Sequence, residues 1–156
     1  MADLNFEHLK IYIDGGSRNN PGPAAIGFII YDKNDNIIEK VCQYIGKETN
    51  NIAEYTALDE ALTLAKKYKT KYNINRIIIN TDSKLLHHQI KRIWKVKDKD
   101  IAVIHKRILN KLKDYEVVNL RLIPREQNKE ADKLVNYALD NLCFEKDKMN
   151  LLNVEK

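Results

Sequence analysis

Four acidic side chains stand where a chain can bring carboxylates together without filling a core. Asp14 ends the alternating string HLKIYID and precedes the turn-rich GGSRNNPGPAA. Asp82 follows the short apolar run RIIIN. Glu54 and Asp132 each fall in the first turn of a segment whose apolar residues recur at helical spacing. Strand ends and helix starts are where sheet-based folds place their chemistry. Carboxylates gathered at one point repel each other, and a hard cation that prefers oxygen ligands relieves the repulsion. The chemistry such a cluster supports is in-line displacement, in which bound metal activates a water and stabilises the leaving oxygen. Each acid alone has a plainer reading. Asp82 could cap a helix, Glu54 and Asp132 could offset helix dipoles, and Asp14 could be a turn residue.

The elements around the acids follow from periodicity. His8–Asp14 and Ile26–Tyr31 read as strands, DKNDN at 32–36 as a hairpin turn, and Ile37–Ile45 as a third strand. The period then changes. Leu58, Ala61, Leu62 and Ala65 recur at i, i+3, i+4, i+7, which predicts an amphipathic helix over about Asn51–Tyr68. Arg76–Asn80 reads as a strand buried on both faces. Helices are expected over about Ser83–Lys91 and Asp98–Leu112, the second with Ile101, Ile104, His105 and Ile108 on one side. Val117–Ile123 reads as the last strand, and Asn128–Leu142 as the last helix, with Ala131, Leu134, Val135 and Ala138 inward. The order β-β-β-α-β-α-α-β-α implies an α/β fold, a mixed sheet with packed helices.

Composition sets outer bounds. The chain has 156 residues, 44% hydrophobic and 31% charged, which suits one globular domain over 1–142 followed by a mixed tail over 143–156. No apolar run approaches the roughly 20 residues of a membrane helix. The opening MADLNFEHLK lacks the pattern of a secretory leader, so a cytoplasmic, non-membrane protein and a monomer are expected. Cys42 and Cys143 fit no metal-binding spacing and are expected to be idle thiols. The net charge of +5 suggests a polyanionic partner.

The strings IYIDGGSRNNPGPAAIGFII, TNNIAEYTAL, INTDSKLL and IPREQNKEADKLVNYAL resemble ribonuclease HI, and the resemblance spans roughly Leu9–Leu142. It implies a ribonuclease H-like fold: a five-stranded mixed sheet in the order 3-2-1-4-5 with helices on both faces. It implies that Asp14, Glu54, Asp82 and Asp132 converge on one site for two magnesium ions, with manganese as the alternative ion. It implies an endonuclease that hydrolyses the RNA strand of an RNA–DNA hybrid and leaves 5′-phosphate and 3′-hydroxyl ends. Asn50 and Asn51 match positions that meet the RNA backbone and its 2′-hydroxyls, groups an amide can serve as donor and acceptor. Asn20 and Thr49 match a phosphate pocket for the DNA strand, while Ile52 stands where bacterial relatives often carry arginine. Gly15, Lys84 and Asn128 complete the expected substrate contacts.

The chain departs from the longer bacterial forms twice. Those forms carry a basic, tryptophan-bearing handle helix; here HHQIKRIWKVKDKDIAVIH runs directly into the next helix. Lys91, Arg92, Lys95 and Lys97 around Trp94 are expected either to replace the handle in part or to form a solvated loop with Trp94 on the core. The longer forms also carry a histidine before the last acid. PREQNKEAD has none, and Arg125 is the nearest replacement, grouped here with the catalytic residues. Two other functions fit the acids: a nuclease of the same fold acting on duplex DNA or RNA, and a non-catalytic hybrid-binding module.

Overall fold

The computed structural model describes residues 7–141 and the backbone of 149–150. The strands are β1 (His8–Ser17), β2 (Gly22–Tyr31), β3 (Ile37–Glu48), β4 (Arg76–Thr81), β5 (Val117–Leu122) and β6 (Met149–Asn150). The helices are α1 (Asn50–Tyr72), α2 (Lys84–Ile90), α3 (Lys99–Leu112) and α4 (Lys129–Asn141), with a 3-10 turn at Arg125–Gln127. The sheet order is β5-β4-β1-β2-β3-β6. The strands β1, β2 and β3 form an antiparallel meander, whereas β4 pairs parallel with β1 and β5 parallel with β4.

The expected 3-2-1-4-5 sheet is therefore present, with one addition. The short β6 pairs with Val41 and Cys42 on β3, an edge whose amides and carbonyls would otherwise lack a ladder partner. Cys42 is buried, and Cys143 lies outside the described residues. No helix among the described residues is long and apolar enough to cross a membrane.

Strand alternation sorts the core into two layers. Leu9, Ile11 and Ile13 on β1 and Ile26, Phe28 and Ile30 on β2 pack with Leu58, Ala61 and Leu62 of α1 and with Ile101, Ile104 and Ile108 of α3. On the opposite face Ala25 and Ile29 meet Leu134, Val135, Ala138 and Leu139 of α4. Each fully buried Leu or Ile contributes roughly 1.5–3 kcal/mol, so the sheet centre is the rigid platform for the strand ends.

Local chemistry sets where the helices start and stop. Thr49 caps α1 by accepting from the Ile52 amide at 3.1 Å. Asn73 ends α1 in the left-handed region at φ 53°, so the helix runs to Tyr72, four residues beyond the expected Tyr68. Ser83 caps α2 by accepting from the Leu86 amide at 3.1 Å. The cap of α2 is thus the serine, which removes the helix-capping explanation for Asp82.

Candidate active site

Three of the four acids arrive from two strand ends and one helix. Asp14 lies near the end of β1, Asp82 directly after β4, and Glu54 one residue past the first turn of α1. Glu54 is not a first-turn acid, so an offset of the helix dipole does not explain it. One carboxylate oxygen from each of Asp14, Glu54 and Asp82 lies within 4.8 Å of the others. Asp14 is 7% exposed.

The backbone at Gly15 joins two of these acids. Its amide donates to Asp14 Oδ1 at 3.0 Å and to Glu54 Oε1 at 3.1 Å. A side chain is excluded there, because a Cβ would stand 2.3 Å from the Ala53 carbonyl and 2.6 Å from the Glu54 amide nitrogen. Gly15 was also expected to contact substrate; in this structure its N–H donates to the two carboxylates. Asn128 likewise holds the site from behind. It is buried, and its amide donates to the Ile13 carbonyl at 2.8 Å and to Asp82 Oδ2 at 3.4 Å. Asn128 was expected to contact substrate; in this structure it is 1% exposed and its amide holds Ile13 and Asp82.

Asp132 takes a different place. It is exposed on the first turn of α4 and lines the same cleft as Asp14, Glu54 and Arg125. The structure thus draws three acids into one cluster and sets the fourth at its rim, where its charge still acts on Asp14.

The electrostatics follow from this crowding. Burial, then the Asp82 and Asp132 charges, push the Asp14 carboxyl up to about 8. Burial, with Asp14 and Asp82 nearby, drives Glu54 well above the usual carboxylate range. Asp82 is raised by burial and held down in part by Asn128 and the Arg125 guanidinium. Arg125 also acts on Glu54 in the same sense. The cluster therefore disfavours its own full ionisation and is suited to a divalent cation, which supplies the missing positive charge. The donor set, carboxylate oxygens without sulfur or imidazole, suits a hard ion.

The expected substrate residues group on one side of this cluster. Asn50 Oδ1 accepts from the Ser17 amide at 2.7 Å and from its hydroxyl at 3.2 Å, which leaves the Asn50 amide nitrogen as a donor. Asn20 Oδ1 accepts from the Asn50 backbone N–H at 2.9 Å, so its own NH2 group also remains to donate. Asn51 is exposed beside them. Thr49 is spent mainly on the α1 cap. Lys84 is exposed, with Nζ 5.7 Å from the Trp94 ring centroid. Trp94 is 41% exposed and meets the His88 ring at a tilt, with centroids 4.7 Å apart, so it belongs to a surface loop and not to the core.

Known proteins resemble this chain in sequence and fold. Residues 12–138 match the family described as reverse transcriptase-like. The chain is 35% identical to ribonuclease HI of Halobacterium salinarum over 85% of its own length and 65% of that protein. It is 34% identical to a bifunctional protein of Mycobacterium tuberculosis over 85% of its length and 36% of that protein. The chain thus spans just under two thirds of the first relative and about a third of the second. The crystal structure of the H. salinarum RNase H1 superposes with a TM-score of 0.79 at 34% identity, over 86% of this chain and 98% of that one. LC11-RNase H1, solved in complex with an RNA/DNA hybrid, superposes with a TM-score of 0.81 at 36% identity, over 86% and 98% of the two chains. The match over residues 12–138, together with a 34%-identical solved RNase H1 chain covered to 98%, places the chain in the ribonuclease HI family.

Proposed function

We propose that the chain is an endonuclease that hydrolyses the RNA strand of RNA–DNA hybrids, leaving 5′-phosphate and 3′-hydroxyl ends. The observation that carries this reading is the cluster of Asp14, Glu54 and Asp82 within 4.8 Å, beside a row of amide side chains. Its support is the similarity to LC11-RNase H1, which was solved with such a hybrid.

Asp14, Glu54 and Asp82 would hold divalent cations, with Asp132 closing the set from the rim; two magnesium ions are the proposed complement, with manganese as an alternative. Bound there, the ions supply an activated water and a charge to stabilise the leaving oxygen. The rest falls to the chain itself. The Gly15 amide and Asn128 fix the carboxylates, so little reorganisation is required as the reaction proceeds. Asn50 and Asn51 present amides to 2′-hydroxyls and so select the RNA strand. Arg125 offers a forked, permanently charged donor to the scissile or product phosphate. The proposed working form is a monomer.

Strand-labelled RNA–DNA hybrid, duplex DNA and duplex RNA, each incubated with and without magnesium, test the proposal. Cutting confined to the hybrid's RNA strand and dependent on magnesium is expected. Cutting of duplex DNA or duplex RNA at the same rate would assign the cluster to another nuclease activity. Binding without cutting would leave only a hybrid-binding module.

A further inference from the structure

Consecutive residues of a helix point about 100° apart, so their side chains do not ordinarily meet. His87 and His88 on α2 meet nonetheless. Their Nδ1 atoms lie 3.0 Å apart and their ring centroids 5.0 Å apart. Both residues are half-buried, and neither belongs to the carboxylate cluster. Each ring is held from its far side. The backbone of Leu120 on β5 hydrogen-bonds the His87 ring. The Trp94 indole lies against the His88 ring, with centroids 4.7 Å apart. The His88 carbonyl also accepts from the Ile93 amide at 2.8 Å and the Trp94 amide at 3.1 Å, which ties the turn bearing the indole to the same residue.

Two imidazole nitrogens at this distance share one occupant. A neutral imidazole has one donor and one acceptor nitrogen. With Nδ1 of His87 turned to His88, its Nε2–H is left to serve the Leu120 carbonyl, and the Nδ1 lone pair faces His88. A carbonyl behind the ring is how proteins fix the tautomer and aim of a histidine that ligates a metal. With a proton as the occupant, His88 donates Nδ1–H into that lone pair. With the His88 proton moved to Nε2, two lone pairs meet at one point. Burial, then the His88 and Lys91 charges, lower the His87 ring below its ordinary range. The ring is therefore neutral, as a ligand must be.

We infer that His87 and His88 form a chelating site for a tetragonal divalent transition ion, Cu2+ or Ni2+, separate from the carboxylate centre and independent of its substrate. With metal–nitrogen bonds of roughly 2.0–2.1 Å, nitrogens 3.0 Å apart subtend about 95° at the ion. That is close to the cis angle of tetragonal coordination, about 90°, and short of the roughly 109° of tetrahedral zinc. Imidazole nitrogen suits these ions, whereas magnesium takes oxygen ligands. The two sites thus sort ions by hardness, carboxylates for the hard ion and imidazoles for the borderline one. No third His, Cys, Asp or Glu joins the pair among the described residues, so water completes the sphere. A bound ion fixes both rings and, through His88, the turn that carries Trp94.

Trp94 is the one tryptophan of the chain, so its fluorescence reports on the His88 ring beside it. The emission is followed while CuCl2, NiCl2 or ZnCl2 is added to the protein in excess magnesium. Saturable quenching by Cu2+ is expected, with Cu2+ held more tightly than Ni2+ or Zn2+. His87→Gln keeps the His88–Trp94 contact and is expected to weaken Cu2+ about tenfold or more, at least the cost of losing an outer partner of a metal ligand. Glu54→Gln alters the carboxylate cluster and is expected to leave the Cu2+ affinity unchanged. His88→Gln changes the surroundings of the reporter, so its Cu2+ complex is read by electron paramagnetic resonance. Nitrogen hyperfine coupling is expected in wild type and its loss in His88→Gln. Melts in chelator establish that each variant is folded. Equal Cu2+ affinity of wild type and His87→Gln, a wild-type resonance without nitrogen coupling, or an affinity lost in Glu54→Gln would each overturn the inference. Zinc held more tightly than Cu2+ would overturn the tetragonal geometry.

Discussion

Asp14 on β1 lies directly opposite Gly27 on β2, and Gly27 is where α4 passes close against the sheet. A Cβ at Gly27 would stand 2.6 Å from Leu134 Cβ and 2.8 Å from the Ala131 carbonyl oxygen. Ala131 adjoins Asp132. The missing side chain of Gly27 thus lets α4 set the Asp132 charge beside Asp14.

This relationship predicts the effect of Gly27→Ala. The added methyl has only backbone and a Cβ to displace, so α4 must move outward. A loss of roughly 1–3 kcal/mol is expected from overpacking, together with reduced activity as Asp132 withdraws. Denaturant melts and hybrid cleavage measure the two effects. Wild-type values in both would show that α4 can shift without consequence.

The metal-free protein should lose stability as pH rises. The Asp14 carboxyl is raised to about 8 in the folded state from its ordinary value of 3.8. Between those limits the folded state holds a proton that the unfolded state has released, so stability falls with increasing pH. Glu54 and Asp82 are shifted in the same direction. Asp14→Asn should therefore stabilise the metal-free protein near pH 8, by about 2 kcal/mol, and flatten its pH dependence. Magnesium should do the same to wild type and should release protons on binding. Calorimetric titrations in two buffers of different ionisation enthalpy count those protons. A pH-independent melting temperature in chelator would contradict the electrostatic picture.

Asn128 should matter through Asp82. Asn128→Ala removes the donor to the buried Ile13 carbonyl and frees the Asp82 side chain. A destabilisation of about 1–3 kcal/mol is expected, with a lower kcat and a nearly unchanged KM for hybrid. A raised KM at constant kcat would instead mark a direct substrate contact.

Arg125 offers a charge and a fork but no transferable proton. Arg125→Ala should lower kcat/KM on the order of 10²-fold, the scale of losing one well-placed electrostatic donor. Arg125→Lys should recover part of it. Equal rates for wild type and Arg125→Ala, below and at saturation, would reduce Arg125 to a loop residue.

Much of this site was legible because its acids sit at changes of period. The alternation HLKIYID, the run RIIIN and the helical spacing after Asn51 put Asp14, Asp82 and Glu54 at element ends; in the structure Asp82 directly follows β4, while β1 runs three residues past Asp14 to Ser17 and Glu54 lies just beyond the first turn of α1. What stayed hidden was tertiary. Asp82 next to Ser83 looks like a cap until the hydrogen bond from Leu86 shows which residue caps. Asn128 reads as the first residue of the last helix and as a substrate contact; its burial depends on β1 and Asp82, which lie far away in sequence. Gly27 lies inside an apolar strand, and a glycine there was the one available sign of close backbone approach. The sixth strand is two residues long, too short for any periodic signal.

The central claim is that Asp14, Glu54 and Asp82 act as one metal-dependent centre on the RNA strand of a hybrid. The most direct measurement is cleavage of a strand-labelled RNA–DNA hybrid by wild type, Asp14→Asn and Asp82→Asn across a magnesium titration, with folding of each variant checked by its melt. The account predicts magnesium-dependent cutting of the RNA strand by wild type, and none by either variant despite melting temperatures at or above wild type in chelator. Near-normal cutting by either folded variant would contradict it.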